Sequence, residues 1–406
     1  MDIWLINHYA VPPEYYPLAR QTYFAKHLMA MGYTVTIFAA STVHNSDKNL
    51  ITDGSPWREE TVNGVHYVYI KCLDYQGNGL RRIYNICEFA WKLPGVCKRF
   101  PRPDAIVATS VPPTSCAMGV HLARKYGCRG VAEIADLWPE AIVDYGIAGP
   151  HNPAVLALRW LEKWIYQKAD AVVFTGEGAY DYIIEQGWEK DVPRSKVYYI
   201  NNGVDLEVFD YNREHFHVED GDLDNAEQFN VVYAGSIRRV NNLGLLVDAA
   251  KRVKDPKIKF LIWGDGDELP ALRQRVEAEQ IKNVSFKGRV EKKYVPSIVS
   301  RADLNVVHWE MSSMLRFGVS YNKLFEYLAA GRPVFSTVRP GYSILEKYHC
   351  GMDTEGFTPE DLAEGIQRMA ALPAEEQEQM GRNARKAAAE YDFKNLTRKL
   401  IDIIES

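Results

Sequence analysis

The stretch Ser320-Tyr-Asn-Lys-Leu-Phe-Glu-Tyr-Leu-Ala-Ala-Gly-Arg-Pro-Val334 governs how the rest of the chain is read. Ser320 has the chemistry of a helix N-cap and Gly331 that of a C-terminal stop, and 333–337 then reads as a buried strand. Leu324, Phe325 and Leu328 supply the apolar side of the short helix, while Lys323 and Glu326 lie one turn apart near its start. Free backbone N–H groups and the positive end of the helix dipole make such a terminus an anion site, and a lysine adds a full charge. A carboxylate one turn further in suits a neighbouring diol. Phosphate plus sugar hydroxyls is the outline of a nucleotide-sugar. An ordinary solvated helix start is the plain alternative, and the segment alone does not separate the two.

Around this segment lies a chain with the composition of a globular enzyme. Its 406 residues exceed one core and predict two or three domains. Hydrophobic residues at 47% and charged residues at 25% exclude a disordered protein. A net charge of -5 gives no reason to expect nucleic-acid binding. Six cysteines without a Cys-x-x-Cys pair read as reduced thiols and place the protein in the cytoplasm rather than among secreted disulfide scaffolds. The first residues read as a buried strand, not a signal peptide. No segment approaches the roughly 18–20 apolar residues that cross a bilayer.

Short apolar runs alternate with helical patterns. Strands are expected over 3–7, 33–38, 65–70, 105–108, 130–134, 171–175 and 196–200, with a polar, Pro-rich loop after the first and a helix over 20–31. The rhythm pauses at the acidic stretch 215–228, read as an exposed linker, and restarts with strands over 229–234, 258–263, 284–286, 304–308 and 333–337. Such alternation implies right-handed βαβ units and parallel sheets. The expected architecture is α/β, two tandem doubly wound Rossmann-like domains: 1–210, a linker over 211–228, 229–390, and a terminal helix over 391–406. Ligands of such sheets sit beyond the carboxyl ends of the strands, so two facing domains would hold substrates in the cleft between them.

In the second half the rule can be applied loop by loop. Tyr233-Ala-Gly235-Ser-Ile-Arg238-Arg239 is a strand running into a glycine turn, where Gly235 allows close backbone approach and either arginine could hold phosphate. Asp265 and Asp267 superficially resemble a metal site, but a strand-to-helix turn is the better reading because no further ligands accompany them. After Phe286-Lys-Gly288-Arg-Val290, exposed backbone could read a base edge.

These pieces, in the order Asn202-Gly-Val-Asp205, Tyr233-Ala-Gly235-Ser, Trp263-Gly-Asp-Gly266, Phe286 to Val290, Ala302-Asp303 and the Lys323/Glu326 helix, resemble the retaining GT-B glycosyltransferases. In particular they resemble the large bacterial family that contains many O-antigen, capsule and exopolysaccharide transferases. Asp136-Leu-Trp-Pro-Glu140 resembles a branch acting on amino-deoxy sugars, so the resemblance spans nearly the whole chain. It implies that Glu326 binds the nucleotide ribose and that backbone near Val290 holds the base. Gly235, Ser236 and Gly264 would line the diphosphate turn, and Tyr321, Asn322, Lys323 and Leu324 the helix start facing the phosphates. Lys323 and Arg238 would stabilise a nucleoside diphosphate leaving group, most often UDP in this family, without metal or other cofactor. The terminal helix would pack back on the first domain.

Three departures from the family pattern stand out. Gly318 occupies the position of the first of two glutamates eight apart. Ser236 and Asn241 or Asn242 replace a common arginine and lysine. Ala135-Asp136 replaces a His-Asp pair, leaving Asp136 either to orient the acceptor and act at the reacting centre or to cap a helix.

Acceptor contacts are expected from His8, Tyr9 and Arg20 around the first loop, and from Asp136 and Glu140. From 79 to 103 the chain is basic and aromatic, with Arg81, Arg82, Phe89, Trp91, Lys98 and Arg99 expected to rest on the inner face of the cytoplasmic membrane and reach a polyprenyl-diphosphate-linked saccharide. An amphipathic helix with a solvated basic side is the alternative.

Rival readings are a GT-B UDP-sugar 2-epimerase and an inactive nucleotide-binding partner subunit. A periplasmic sugar-binding protein would need a signal peptide. A Rossmann dehydrogenase would need G-x-G-x-x-G where Asn7-His-Tyr-Ala-Val-Pro stands.

Overall fold

The computed structural model describes residues 1–15, 20–44 and 46–406. The chain divides into two compact units, Met1–Asn201 with Leu396–Ser406, and Asn202–Asn395. Each is built on one largely parallel sheet. Of the Pro-rich loop expected after the first strand, residues 16–19 lie outside the described residues.

Among the described residues, the first sheet has strands β1 (Asp2–Ile6), β2 (Thr34–Ala40), β3 (Trp57–Val62), β4 (Val65–Ile70), β5 (Ala105–Ser110), β6 (Arg129–Ile134), β7 (Ala171–Phe174) and β8 (Val197–Tyr199). They lie in the order β3-β4-β2-β1-β5-β6-β7-β8, all parallel except β3. The middle strands are continuous apolar runs because helices cover both faces; β5 is buried at every residue. The strand β3 was not expected from its sequence, Trp57-Arg-Glu-Glu-Thr-Val62. It pairs antiparallel with β4 across Asn63-Gly64, both at positive φ, a two-residue hairpin turn. Its charged residues blunt the edge of the sheet.

The second sheet contains β9 (Phe229–Ala234), β10 (Ile258–Trp263), β11 (Val284–Gly288), β12 (Leu304–Val307), β13 (Val334–Ser336) and β14 (Gly351–Asp353), in the parallel order β11-β10-β9-β12-β13-β14. Val231, Tyr233, Phe260, Ile262 and Leu304 form its core with Leu246, Leu362 and Ile366 from the covering helices.

Two expected boundaries move. The division falls after Asn201, and residues 211–228 are packed rather than a free linker. Asp205 caps the helix Leu206–His215 through the Val208 N–H (3.1 Å). The acidic run then meets Lys287, which bonds Asp220 (2.7 Å) and Asp222 (2.6 Å), and Arg301, which bonds Asp224 (2.6 Å). Opposite charges on the second sheet's periphery hold the acidic run down. In the terminal helix Phe393–Glu405, the portion from Leu396 onward belongs to the first unit, where Arg129 donates to the Ile403 carbonyl (3.1 Å) and the Tyr33 hydroxyl to Glu405 (2.6 Å).

Candidate active site

At the carboxyl ends of β9 and β10, successive loops touch through their backbones. Gly235 N–H donates to Trp263 O (3.0 Å), Ile237 N–H to Asp265 O (2.9 Å) and Gly264 N–H to Gly288 O (2.8 Å). Gly264 has φ +142, and a Cβ there would fall 1.7 Å from Gly235 O, so only glycine fits. Ser236 and Arg238 are exposed on this ledge. The buried Asn241 side chain secures it by donating to the Ser236 carbonyl (2.6 Å) and hydroxyl (2.7 Å). Asp265 and Asp267 are both exposed in the turn preceding the helix Leu269–Ala278.

The decisive helix runs Asn322–Ala329, so its N-cap is Tyr321, one residue later than the Ser320 expected. Its apolar side is seated by Leu324, Phe325 and Leu328, and the Tyr327 hydroxyl accepts from Ala234 N–H (2.9 Å) and donates to Ala234 O (3.2 Å). That pair of bonds locks the helix to the end of β9. Lys323 consequently reaches the glycine turn. Its Nζ donates to the Tyr233 hydroxyl (2.9 Å), lies 4.5 Å from that ring's centroid, and would sit 2.9 Å from any Cβ at position 235. Burial, with Lys292 nearby, lowers its pKa to about 8. Glu326 is partly buried and ion-paired to Lys292, which follows β11. Val290, half-buried, lies two residues before Lys292.

An ammonium, free helix N–H groups, a partly buried carboxylate and a glycine ledge therefore converge in the second unit. Such a set can hold a diphosphate and a diol.

Several supporting residues were not expected from the sequence. Trp309 stacks on Tyr321 (ring centroids 4.6 Å apart), and its ring lies 5.9 Å from Lys323 Nζ. His308 is buried, donates from Nε2 to the Asn242 carbonyl (2.8 Å), and so accepts from the Thr337 hydroxyl at Nδ1 (2.7 Å). Burial lowers its pKa to about 4, keeping it neutral. Trp309, His308 and Lys292 lie in loops whose partners are distant in sequence; only their position after predicted strands could have flagged them.

In the first unit, the expected acceptor residues separate. Asp136 is exposed just beyond β6, and Tyr9 is half-buried just beyond β1. His8 does not face solvent: it is fully buried, its Nε2 donates to Asn85 Oδ1 (2.6 Å), and burial lowers its pKa to about 3. Arg20 is turned inward, bonding Glu133 (2.9 Å) and the carbonyls of Ile200 (2.9 Å) and Asn201 (2.6 Å). Glu140 is held in a two-pronged pair by Arg159 (2.7 and 3.0 Å). Arg20 and Glu140 are struts because their partners engage their charged groups, and His8 is held out of solvent by Asn85, its Nδ1 left buried without a partner.

The basic segment forms the helix Leu80–Cys97. Phe89 is fully buried, and Arg82 donates to the Tyr9 hydroxyl (3.1 and 2.9 Å), so neither belongs to an outer contact face. Arg81, Trp91, Lys98 and Arg99 are exposed.

Comparison with known proteins agrees with this division. Residues 19–203 match the family described as a glycosyl transferase 4-like domain, and residues 220–387 match glycosyl transferases group 1. Among curated proteins, the chain is 25% identical over 302 residues to the probable glycosyltransferase WbjE of Pseudomonas aeruginosa, covering 72% of each chain. It is 25% identical over 296 residues to the putative colanic acid biosynthesis glycosyl transferase WcaI of Escherichia coli K12, covering 69% of this chain and 70% of that one. In fold it is similar to sucrose-phosphate synthase from Thermosynechococcus elongatus (TM-score 0.73, 18% identity, 100% and 98% coverage). It is also similar to Anabaena HepE in complex with UDP and glucose (TM-score 0.68, 15% identity, 100% coverage of both). With both halves matched in order, the chain belongs to the GT-B glycosyltransferases that join a glycosyl transferase 4-like domain to a group 1 domain.

Proposed function

We propose that this glycosyltransferase moves a sugar, of the amino-deoxy class, from a UDP-linked donor to a polyprenyl-diphosphate-linked glycan in bacterial surface-polysaccharide synthesis, with retention at the anomeric carbon. The observation that carries the donor half is the Lys323 ammonium held against the Gly235 turn, with Glu326 one helical turn further on. Support for the pathway comes from the relatives' names, which include colanic acid and teichuronic acid biosynthesis. HepE, similar in fold, binds UDP and glucose.

In this reading the bond between the anomeric carbon and the β-phosphate oxygen breaks, and negative charge moves onto the diphosphate. Lys323 and the N–H groups at the start of helix Asn322–Ala329 meet that charge without a metal ion, and Arg238 can swing in from the exposed ledge. Glu326 releases Lys292 to accept the ribose hydroxyls. The acceptor hydroxyl attacks from the face the diphosphate leaves, and its proton passes to a phosphate oxygen. Asp136 orients the acceptor from the first unit. Trp91 and the basic residues Arg81, Lys98 and Arg99 rest on the inner face of the membrane, making the enzyme peripheral and cytoplasmic.

The test is a thermal-shift panel of UDP, GDP, ADP and TDP followed by turnover with and without a lipid-linked acceptor. A shift selective for UDP is expected, because a ligand that binds only the native state raises the melting temperature. Turnover of a UDP-sugar without acceptor would indicate a 2-epimerase. Binding without turnover would indicate an inactive partner subunit, the reading that Gly318 in place of a glutamate favours. Strict dependence on a divalent ion would overturn the metal-free step.

A further inference from the structure

Three helices of the first unit, Leu80–Cys97, Pro113–Tyr126 and Pro153–Lys168, enclose an apolar groove of about 490 Å³. Cys87, Trp91, Ala117, Met118, Trp160 and Trp164 line it. Each helix already buries another side against the sheet, through Phe89 and Leu93, Cys116 and Val120, and Val155 and Ile165. The groove is thus a second apolar face, and core packing does not require it. Trp91 and Trp160 are 77% and 68% exposed at its rim, a large unfavourable display for a monomer with nothing to cover it.

Charge indicates what covers it. Within a chain of net charge -5, these three helices carry eight lysines and arginines against two glutamates. Of those glutamates, Glu88 is paired with Lys92, and Glu162 is buried, bonded to the Tyr166 (2.7 Å) and Tyr182 (2.8 Å) hydroxyls. Burial raises the Glu162 pKa to about 8, so it is largely neutral at pH 7. Arg81, Arg124, Lys125 and Lys168 are exposed and have no ion pair among the described residues. A second copy of the chain would bring the same positive charge against this face and be repelled. An anionic amphiphile would not.

Position narrows the occupant further. Each helix connects parallel strands and therefore starts at the carboxyl edge of the first sheet, where ligands of such sheets lie. Helix Leu80–Cys97 there holds Tyr9 through Arg82, and helix Pro153–Lys168 holds Glu140 through Arg159, four residues beyond Asp136. The groove opens beside the loops assigned to the acceptor. We propose that it holds the hydrocarbon chain of the lipid-linked acceptor itself, with the phosphate end at the carboxyl edge near Arg81. This rests on the acceptor reading given under Proposed function.

Calorimetric titration of the whole protein with farnesyl diphosphate, below its micellar concentration and with saturating UDP present, tests the proposal. Saturable binding is expected, with no competition from inorganic diphosphate. Ala117→Trp, which fills the groove, and Trp160→Ala at the exposed rim should each weaken it about tenfold or more while UDP affinity stays unchanged. No saturable binding, equal affinity in both variants, or competition by inorganic diphosphate overturns the chain site. Two further outcomes also overturn it: loss of phosphatidylglycerol-vesicle binding in Ala117→Trp with no farnesyl diphosphate site in the wild type, which marks a leaflet contact, or a wild-type dimer that the variant dissolves. Failure of the wild type to bind UDP would count against the nucleotide-sugar reading instead, and the prenyl titration still decides the groove.

Discussion

Lys323, the cation assigned to the leaving group under Proposed function, works against stability. Its folded pKa, about 8, lies below the unfolded value of 10.5. The unfolded chain therefore binds the proton more tightly, and the charged side chain destabilises the fold fully below pH 8, an effect that fades as pH rises towards 10.5. The shift corresponds to at most about 3 kcal/mol. Lys323→Met should lower turnover about a hundredfold or more while melting at the same or a higher temperature at pH 7, with the gap closing by pH 10. Assay and melts over pH 7–10 check both halves. Glu326 should behave differently. Its ion pair with the exposed Lys292 contributes little to stability, so Glu326→Ala should leave the melting temperature nearly unchanged. Nucleotide binding should weaken by about 1.5–3 kcal/mol, measured by calorimetry. Unchanged affinity would remove the ribose assignment.

Elements depend on contacts that bring distant segments together. The ledge after β9 and β10 exists because two backbones meet where no side chain intervenes. Gly264→Ala would place a methyl 1.7 Å from Gly235 O at φ +142. We expect a loss of about 3 kcal/mol or more in denaturant titrations of the second unit, since the loop must move and the alanine is strained. Arg20 makes the corresponding test in the first unit. It joins the helix Arg20–Ala30 to Glu133 on β6 and to the carbonyls after β8, with only 10% of its side chain exposed. Arg20→Ala leaves Glu133 buried without its counter-charge and should destabilise by about 3–5 kcal/mol. The acceptor KM of the folded variant should not change; a selective rise in KM at constant stability would restore Arg20 to the acceptor site.

For the whole molecule, the exposed basic residues of the first unit are predicted to set membrane affinity. Each lysine or arginine near an anionic surface contributes about 1 kcal/mol, so Arg81→Glu, Lys98→Glu and Arg99→Glu together should abolish vesicle co-sedimentation at low salt. Activity on a short soluble acceptor should survive. Arg82 is left unchanged because it holds Tyr9. Equal vesicle binding by wild type and triple variant would return the segment to a solvated helix. Much of the molecule was legible in its residues alone. Strand-helix alternation determined two parallel sheets, because a strand covered on both faces must be a continuous apolar run. That Lys323 and Glu326 share one short helix and Gly235 a strand-end turn was legible from local spacing, whereas the approach of Lys323 to that turn came from the fold. Which polar residues are free to act was decided by the tertiary structure. His8, Arg20 and Glu140 read like ligand contacts, yet Asn85, Glu133 and Arg159 hold them in place from 77, 113 and 19 residues away, with His8 fully buried. The acidic run 219–224 reads as a solvated linker until Lys287 and Arg301 come to meet it. Local sequence specifies what a side chain can do, and the partner that folding brings to it decides whether that capacity remains available.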